Sequence, residues 1–138
     1  MRKPEQRLWD RMREHVGREV RLERVENVMT VGMPDVLSCV GGNVVWVELK
    51  AVEEPPARIE TRVLGTKGLS REQRNWHYDW RRVGGSSVIL VGVGPRFIYL
   101  LDGAHADTIN NYNLGELRSH ALALDWDGLV GVLKGAGK

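Results

Sequence analysis

The stretch GMPDVLSCVGGNVVWVELKA, residues 32–51, decides the fold of this chain. It contains two apolar runs rich in β-branched residues, Val36–Val40 and Val44–Val52, and Gly41-Gly42 lies between them. Two such runs joined by a glycine pair are typical of a β-hairpin with a two-residue turn. The sequence therefore predicts two antiparallel strands whose register is fixed by the position of these glycines.

The register brings charged side chains together. Asp35 and Glu48 lie equally far from the turn, so they face each other, and strand alternation puts Lys50 on the same face. Like charges directly opposed across a sheet are destabilising, and a divalent cation between the two carboxylates would offset the repulsion. Hard oxygen ligands suit Mg²⁺ or Mn²⁺. Leu49 points the other way, into packing.

Two alternatives stay open at this point. If Asn43 joins the turn, the register shifts by one residue and Asp35 faces away from Glu48. Alternatively, Asp35 simply begins a strand, and Glu48 with Lys50 forms a surface ion pair. The charged pair lies inside a run of Val and Trp, where isolated charges are costly, and this favours a functional site.

The remaining sequence predicts an α/β chain. Apolar spacing indicates a helix over residues 4–16, and a strand follows at 18–29. Ser70, with Gln73 three residues later, forms a capping box that begins a helix running to about Val83. The other predicted features are a loop at 53–69 with an optional short strand at 58–64, strands at 87–93 and 96–101, and tail helices capped by Asn113 and Asp125. We expect one domain over 1–138, with a core at about 4–101 and a C-terminal extension at about 102–138.

Composition bounds the class of protein. The chain has 138 residues, is 42% hydrophobic and carries a net charge of +2, which neither demands nor excludes a polyanionic partner. The single Cys39 fits a reducing compartment, and we expect it in the core of the hairpin. No apolar run approaches a membrane span of ~20 residues, and the charged N-terminus does not look like a signal peptide. We expect a soluble cytoplasmic protein.

Arginines cluster on the second predicted helix. Arg71, Arg74, Arg81 and Arg82 either contact nucleic-acid phosphates, together with some N-terminal arginines, or form a solvated helix face with ion pairs. The four histidines of the chain show no metal-ligand spacing, and we assign none of them to a site.

Residues 32–51 resemble the active-site hairpin of the PD-(D/E)XK nucleases. More narrowly they resemble the VRR-NUC branch, which includes small stand-alone phage and bacterial proteins similar to Holliday junction resolvases. RVEN at residues 24–27 and LSREQRNWHYDWRRVGG at residues 69–85 agree with phage members. The resemblance covers roughly residues 4–101. It implies a restriction-endonuclease-like α/β core, with a mixed sheet of about five strands flanked by helices, and leaves a helical C-terminal tail unmatched.

The resemblance also implies a metal site. Asp35, Glu48 and the Leu49 carbonyl would hold one or two Mg²⁺ ions, for which Mn²⁺ would substitute. Lys50 would position the attacking water or stabilise the transition state.

Two further positions of the site have alternative assignments. A glutamate of the first helix would reach the metal directly or through water, and Glu5 and Glu14 compete for that place. Gln73 is either only the capping-box residue or also approaches the scissile phosphate.

The function implied is Mg²⁺-dependent DNA endonuclease activity, selective for branched DNA, flaps or four-way junctions. A single-strand-directed or restriction-like nuclease is the alternative within the enzyme class. A non-catalytic nucleic-acid-binding protein on a nuclease fold is the alternative from another class. A four-way junction has two symmetric strands to cut, so we expect a homodimer. Trp76 with Trp80, or the apolar tail 122–133 with Trp126, would supply the contact, and the tail is favoured.

Overall fold

Five strands form one mixed sheet in the computed structural model, which describes residues 3–26 and 30–135. The strands are β1 (Arg21–Arg24), β2 (Val36–Val40), β3 (Asn43–Val52), β4 (Ser87–Val93) and β5 (Phe97–Asp102). They lie side by side in sequence order. The β3/β4 pair is parallel and the other three pairs are antiparallel, so the chain has the mixed sheet that was expected.

Four α-helices flank this sheet. They are α1 (Pro4–Val16), α2 (Arg71–Arg82), α3 (Leu114–His120) and α4 (Trp126–Gly135), with short 3-10 segments at Gly65–Lys67, Gly103–Asp107 and Ile109–Asn111. Three predicted N-caps are confirmed, because Ser70, Asn113 and Asp125 each accept a hydrogen bond from a backbone N–H of the following helical turn. Helix α2 makes the crossover that the parallel β3/β4 pair requires.

The hairpin has the predicted register. Val40 pairs with Asn43 and Val36 pairs with Val47, so Asn43 belongs to the strand rather than to the turn. Gly41 and Gly42 both have positive φ, at 59° and 80°, which is the backbone that a tight hairpin turn needs and that glycine adopts without strain.

Three local predictions were wrong. The first strand covers only Arg21–Arg24, because residues 17–20 form a turn after α1; Asn27–Met29 lie outside the described residues. No strand forms at 58–64, where the backbone bends and buries Val63 in the core. Cys39 is exposed, because α2 packs over β4 and the 103–107 segment and leaves this face of β2 uncovered.

Two hydrophobic clusters fill the two faces of the sheet. On one face, Leu8 and Met12 of α1 pack with Leu129 and Leu133 of α4. On the other face, residues of the loop before α2 pack with β4, β5 and α3. Within the apolar tail 122–133, the buried side chains of α4 close the core of their own chain and are not free for a dimer contact, whereas Leu122 and Leu124 are exposed.

Aromatic side chains remain near the surface beside α2. The Trp76 ring stacks on Trp80 at 5.2 Å between centroids and meets Trp46 edge-on at 5.8 Å. Trp80 is 36% exposed. Both surfaces expected to form a dimer therefore keep accessible apolar side chains. Among residues 3–26 and 30–135, no helix is long and apolar enough to cross a membrane.

Candidate active site

Asp35 and Glu48 meet where the β2/β3 ladder ends. The last strand pair is Val36 with Val47, so the backbone N–H of Leu49 donates to Oδ2 of Asp35 instead, at 3.0 Å. Glu48 follows Val47 on β3, and its side chain is fully buried. The hairpin register thus brings the two predicted carboxylates together and turns Leu49 into the core.

Burial raises the pKa of Glu48 well above its usual value. The charge of Asp35 and a hydrogen bond between the two carboxyl groups act in the same direction, whereas the Lys50 ammonium lowers the pKa. A fully buried carboxyl beside a second carboxyl is unfavourable when both are ionised. The site therefore binds a proton readily, and a cation placed between the two groups would compete with that proton.

Gln73 holds Glu48 from the first turn of α2. Its Nε2 donates to Oε2 of Glu48 at 3.1 Å, while its Oε1 accepts from the backbone N–H of Ser70 at 2.9 Å. The two interpretations of Gln73 are therefore compatible, since one end of the amide completes the capping box and the other end orients the carboxylate. The Ser70 side chain caps the helix by accepting from the backbone N–H of Gln73, whereas the Ser70 backbone N–H holds the Gln73 amide.

His77 is the side chain that the sequence analysis missed. It is fully buried, with Nε2 at 3.2 Å from Oε1 of Glu48 and Nδ1 at 2.8 Å from Oγ of Ser87. Burial, and then the charge of Arg81, lower the pKa of His77 to about 4. The ring is therefore neutral near pH 7, and its contact with Glu48 is a hydrogen bond rather than an ion pair.

The hydrogen bonds of His77 have one consistent direction when Glu48 is ionised. A carboxylate only accepts, so Nε2–H donates to Glu48, and Nδ1 then accepts from the Ser87 hydroxyl. Gly103 makes this arrangement possible, because a Cβ there would lie 2.1 Å from Oγ of Ser87. A signal was present in the sequence: His77 lies four residues after Gln73, and this spacing puts both side chains on one helix face.

Lys50 and Glu5 complete the cluster. The Nζ atom of Lys50 lies 3.9 Å from Oε1 of Glu5, and the Lys50 side chain is only 12% exposed. Burial raises the pKa of Glu5; Lys50 lowers it and Asp35 raises it further. Glu14 is exposed near the other end of α1, nine residues or about 13 Å along the helix. Glu5 is thus the carboxylate of α1 that the fold brings to the site.

The four arginines of α2 have different surroundings. Arg81 forms an ion pair with Asp102 at 2.7 Å, and Arg74 donates to the Leu69 carbonyl at 2.9 Å. Arg82 lies 3.8 Å from Asp79 in an exposed pair, and Arg71 is exposed. Three of the four arginines predicted to contact phosphates therefore have a partner inside the chain, and for Arg82 that partner is part of an exposed pair.

The donor set fits magnesium. Within residues 3–26 and 30–135, no group of three or more His, Cys, Asp or Glu side chains is arranged to hold a metal ion. Mg²⁺ keeps several waters and usually takes one or two carboxylates together with substrate phosphates. Asp35 and Glu48 supply such a carboxylate pair. The residues present therefore fit Mg²⁺, with Mn²⁺ as a substitute.

Comparison with known proteins supports the fold. No family model and no curated protein matches the sequence. Among solved structures, the chain is similar to Hjc, a Holliday junction resolvase from the archaeal hyperthermophile Archaeoglobus fulgidus, with a TM-score of 0.51, 16% identity, and coverage of 72% of this chain and 76% of that one. A structure described as a VRR_NUC domain has a TM-score of 0.46, 18% identity, and coverage of 66% of this chain and 85% of that one. The chain thus shares its fold with Hjc, which agrees with the restriction-endonuclease-like α/β core expected from residues 32–51.

Proposed function

We propose that this chain is a Mg²⁺-dependent endonuclease that hydrolyses DNA phosphodiester bonds. The observation that carries the proposal is the cluster of Asp35, Glu48 and Lys50 on one face of the hairpin, with Glu5 beside them. A fold gains nothing in stability from two opposed carboxylates beside a nearly buried lysine. Retention of such a cluster is typical of a catalytic site, where perturbed pKa values also concentrate.

Each residue of the cluster has a separate role in hydrolysis. Asp35, Glu48 and the Leu49 carbonyl would hold Mg²⁺, which supplies an activated water and stabilises negative charge on the phosphate. Lys50 orients the water that attacks phosphorus and stabilises the charge that develops there, while the bond from phosphorus to the leaving sugar oxygen breaks. Glu5 holds the Lys50 ammonium in place.

His77 and Gln73 act through Glu48. Together they supply a hydrogen bond to each of its two carboxylate oxygens, and so fix the orientation of the carboxylate. Outer partners of this kind determine how well a carboxylate presents its oxygens to a metal. Both are positioning residues, because neither needs to touch the substrate.

Branched DNA is the substrate we propose, with the four-way junction first among the candidates. The support is the shared fold with a protein described as a Holliday junction resolvase. The two-fold symmetry of a junction suits a homodimer, which we also propose, with either the tryptophans beside α2 or the exposed Leu122 and Leu124 of the tail as the contact.

A cleavage panel tests the proposal. Duplex, single strand, flap, splayed arm and four-way junction would be incubated with Mg²⁺, with Mn²⁺ and with EDTA. We expect metal-dependent cuts, fastest on the junction or the flap. If plain duplex were cleaved as fast as the junction and the flap, the activity would be general or restriction-like rather than structure-selective. Binding without cleavage in either metal would indicate a non-catalytic protein.

A further inference from the structure

A wide groove opens directly from the candidate active site. Its volume is about 920 Å³, and its lining includes Lys50 and Glu5 of the site, the end of β3 and the loop segment 61–67. One wall is the start of α1 and the other is this loop segment. A strand of DNA whose phosphate reached Lys50 would therefore continue into the groove.

The loop wall is held firmly in the fold. Val63 and Leu64 are buried in the hydrophobic cluster beneath it, and the N–H of Val63 donates to the Tyr112 carbonyl at 2.9 Å. The side chain of Asn110 makes two hydrogen bonds with the backbone of Leu69, at 2.8 and 2.9 Å. Long loops without strands are uncommon in compact domains unless they are functional, and anchored side chains give this one a defined surface.

The loop wall presents two cations that have no partner in the part of the chain that the structure describes. Arg62 and Lys67 line the groove and are exposed, and within residues 3–26 and 30–135 neither forms an ion pair or a side-chain hydrogen bond. Of the carboxylates that also line the groove, Glu53 contacts Arg7 at 3.4 Å and Glu5 faces Lys50, while Glu54 is exposed. The loop wall carries these two cations and no carboxylate, whereas the opposite wall carries Lys3 beside Glu5.

We propose that this groove binds the sugar–phosphate backbone of the DNA strand beside the scissile phosphate, with Arg62 and Lys67 contacting its phosphates. This proposal rests on the proposed nuclease function and moves the phosphate contacts away from the partly engaged arginines of α2. Contacts of this kind position the strand and carry no sequence information. The two cations are binding residues, whereas Lys50 lies at the chemistry.

The test is a comparison of two double variants with equal loss of charge. Arg62→Gln/Lys67→Gln removes the two cations of the loop wall, and Arg96→Gln/Arg118→Gln removes two exposed arginines outside the groove. Substitutions of exposed side chains change stability by only about ±0.5 kcal/mol, so both proteins should fold. Binding of a labelled four-way junction would be measured in EDTA across a salt series, and cleavage would be measured in Mg²⁺ under single-turnover conditions.

We expect the groove variant to bind about tenfold more weakly at physiological salt and to lower the slope of log affinity against log salt by about 1.8. Its half-saturating protein concentration for cleavage should rise, while its maximal rate stays near that of the wild type. The control variant should keep the wild-type slope. Equal losses of junction affinity in both variants, or no loss in the groove variant, would overturn the proposal that the groove binds DNA.

The outcomes also separate this proposal from the nuclease function. If the wild type binds the junction but does not cleave it, the nuclease function fails while the binding comparison still decides the groove. If the wild type binds no DNA, both fail.

Discussion

Replacing Glu48 with Gln should abolish cleavage and yet stabilise the metal-free protein. The substitution removes the charge and keeps the shape. The Gln oxygen still accepts from Nε2 of Gln73, and its amide nitrogen donates to Nε2 of His77 once the ring carries its proton on Nδ1, facing Ser87. Every buried polar atom keeps a partner, so the change isolates the electrostatic repulsion.

The size of the gain follows from the geometry of the hairpin. Opposed side chains in an antiparallel pair lie about 5 Å apart, and two charges at that distance repel by about 3 kcal/mol at an effective dielectric constant of about 20. The attraction of Lys50 offsets part of this repulsion. We expect a net gain of about 1–2 kcal/mol, or a rise in Tm of about 3–8 °C for a chain of this size.

The gain should depend on pH. The pKa of Glu48 is raised in the folded protein, so its contribution to stability is fully present below the unfolded value, near 4.5, and is lost as pH rises through the folded value. As the pH rises through the pKa that Glu48 has in the folded protein, the wild type should therefore lose stability relative to Glu48→Gln. Thermal unfolding in EDTA from pH 4 upward measures the difference. A variant that is less stable than wild type at pH 8 would refute the reasoning.

Three other predictions concern the surroundings of the site and the assembly. Gln73→Ala and Ser70→Ala should each lower stability by about 1 kcal/mol in urea unfolding, because both break the same capping box. Only Gln73→Ala should also slow cleavage, by about tenfold or more, and equal rates in the two variants would contradict its contact with Glu48. His77→Phe should destabilise the protein by about 2–3 kcal/mol and slow cleavage by about 10–100-fold, because it leaves Glu48 and Ser87 without this partner; a wild-type rate would exclude the positioning role. Light scattering should give twice the monomer mass of 15.6 kDa, whereas a monomer that still makes paired cuts in a junction would exclude the dimer.

The hairpin could be predicted because local signals determine it. The Gly41-Gly42 turn fixes the register, and the period of two then places Asp35, Glu48 and Lys50 on one face without any knowledge of the rest of the fold. The capping box at Ser70 is equally local. Both signals depend on residues only a few positions apart, so one sequence is enough to detect them.

Features that depend on distant parts of the chain were missed. The environment of His77 is created by Glu48 from β3 and Ser87 from β4, and no local pattern reports that meeting. The apolar residues of α4 looked free in the sequence, because the α1 residues against which they pack precede them by more than a hundred residues. Glu5 was distinguished from Glu14 only by the way α1 docks on the sheet.

The most direct test of the central claim is Mg²⁺-dependent cleavage of a four-way junction by wild type and by Asp35→Asn, both shown to be folded. Asp35 keeps its place by accepting from the N–H of Leu49, and the Asn oxygen can accept the same hydrogen bond, so the fold should survive. The site predicts cleavage by wild type with Mg²⁺, none with EDTA, and a loss of at least several hundredfold in the variant. Cleavage by Asp35→Asn at the wild-type rate would contradict the assignment of Asp35 to a metal-dependent active site.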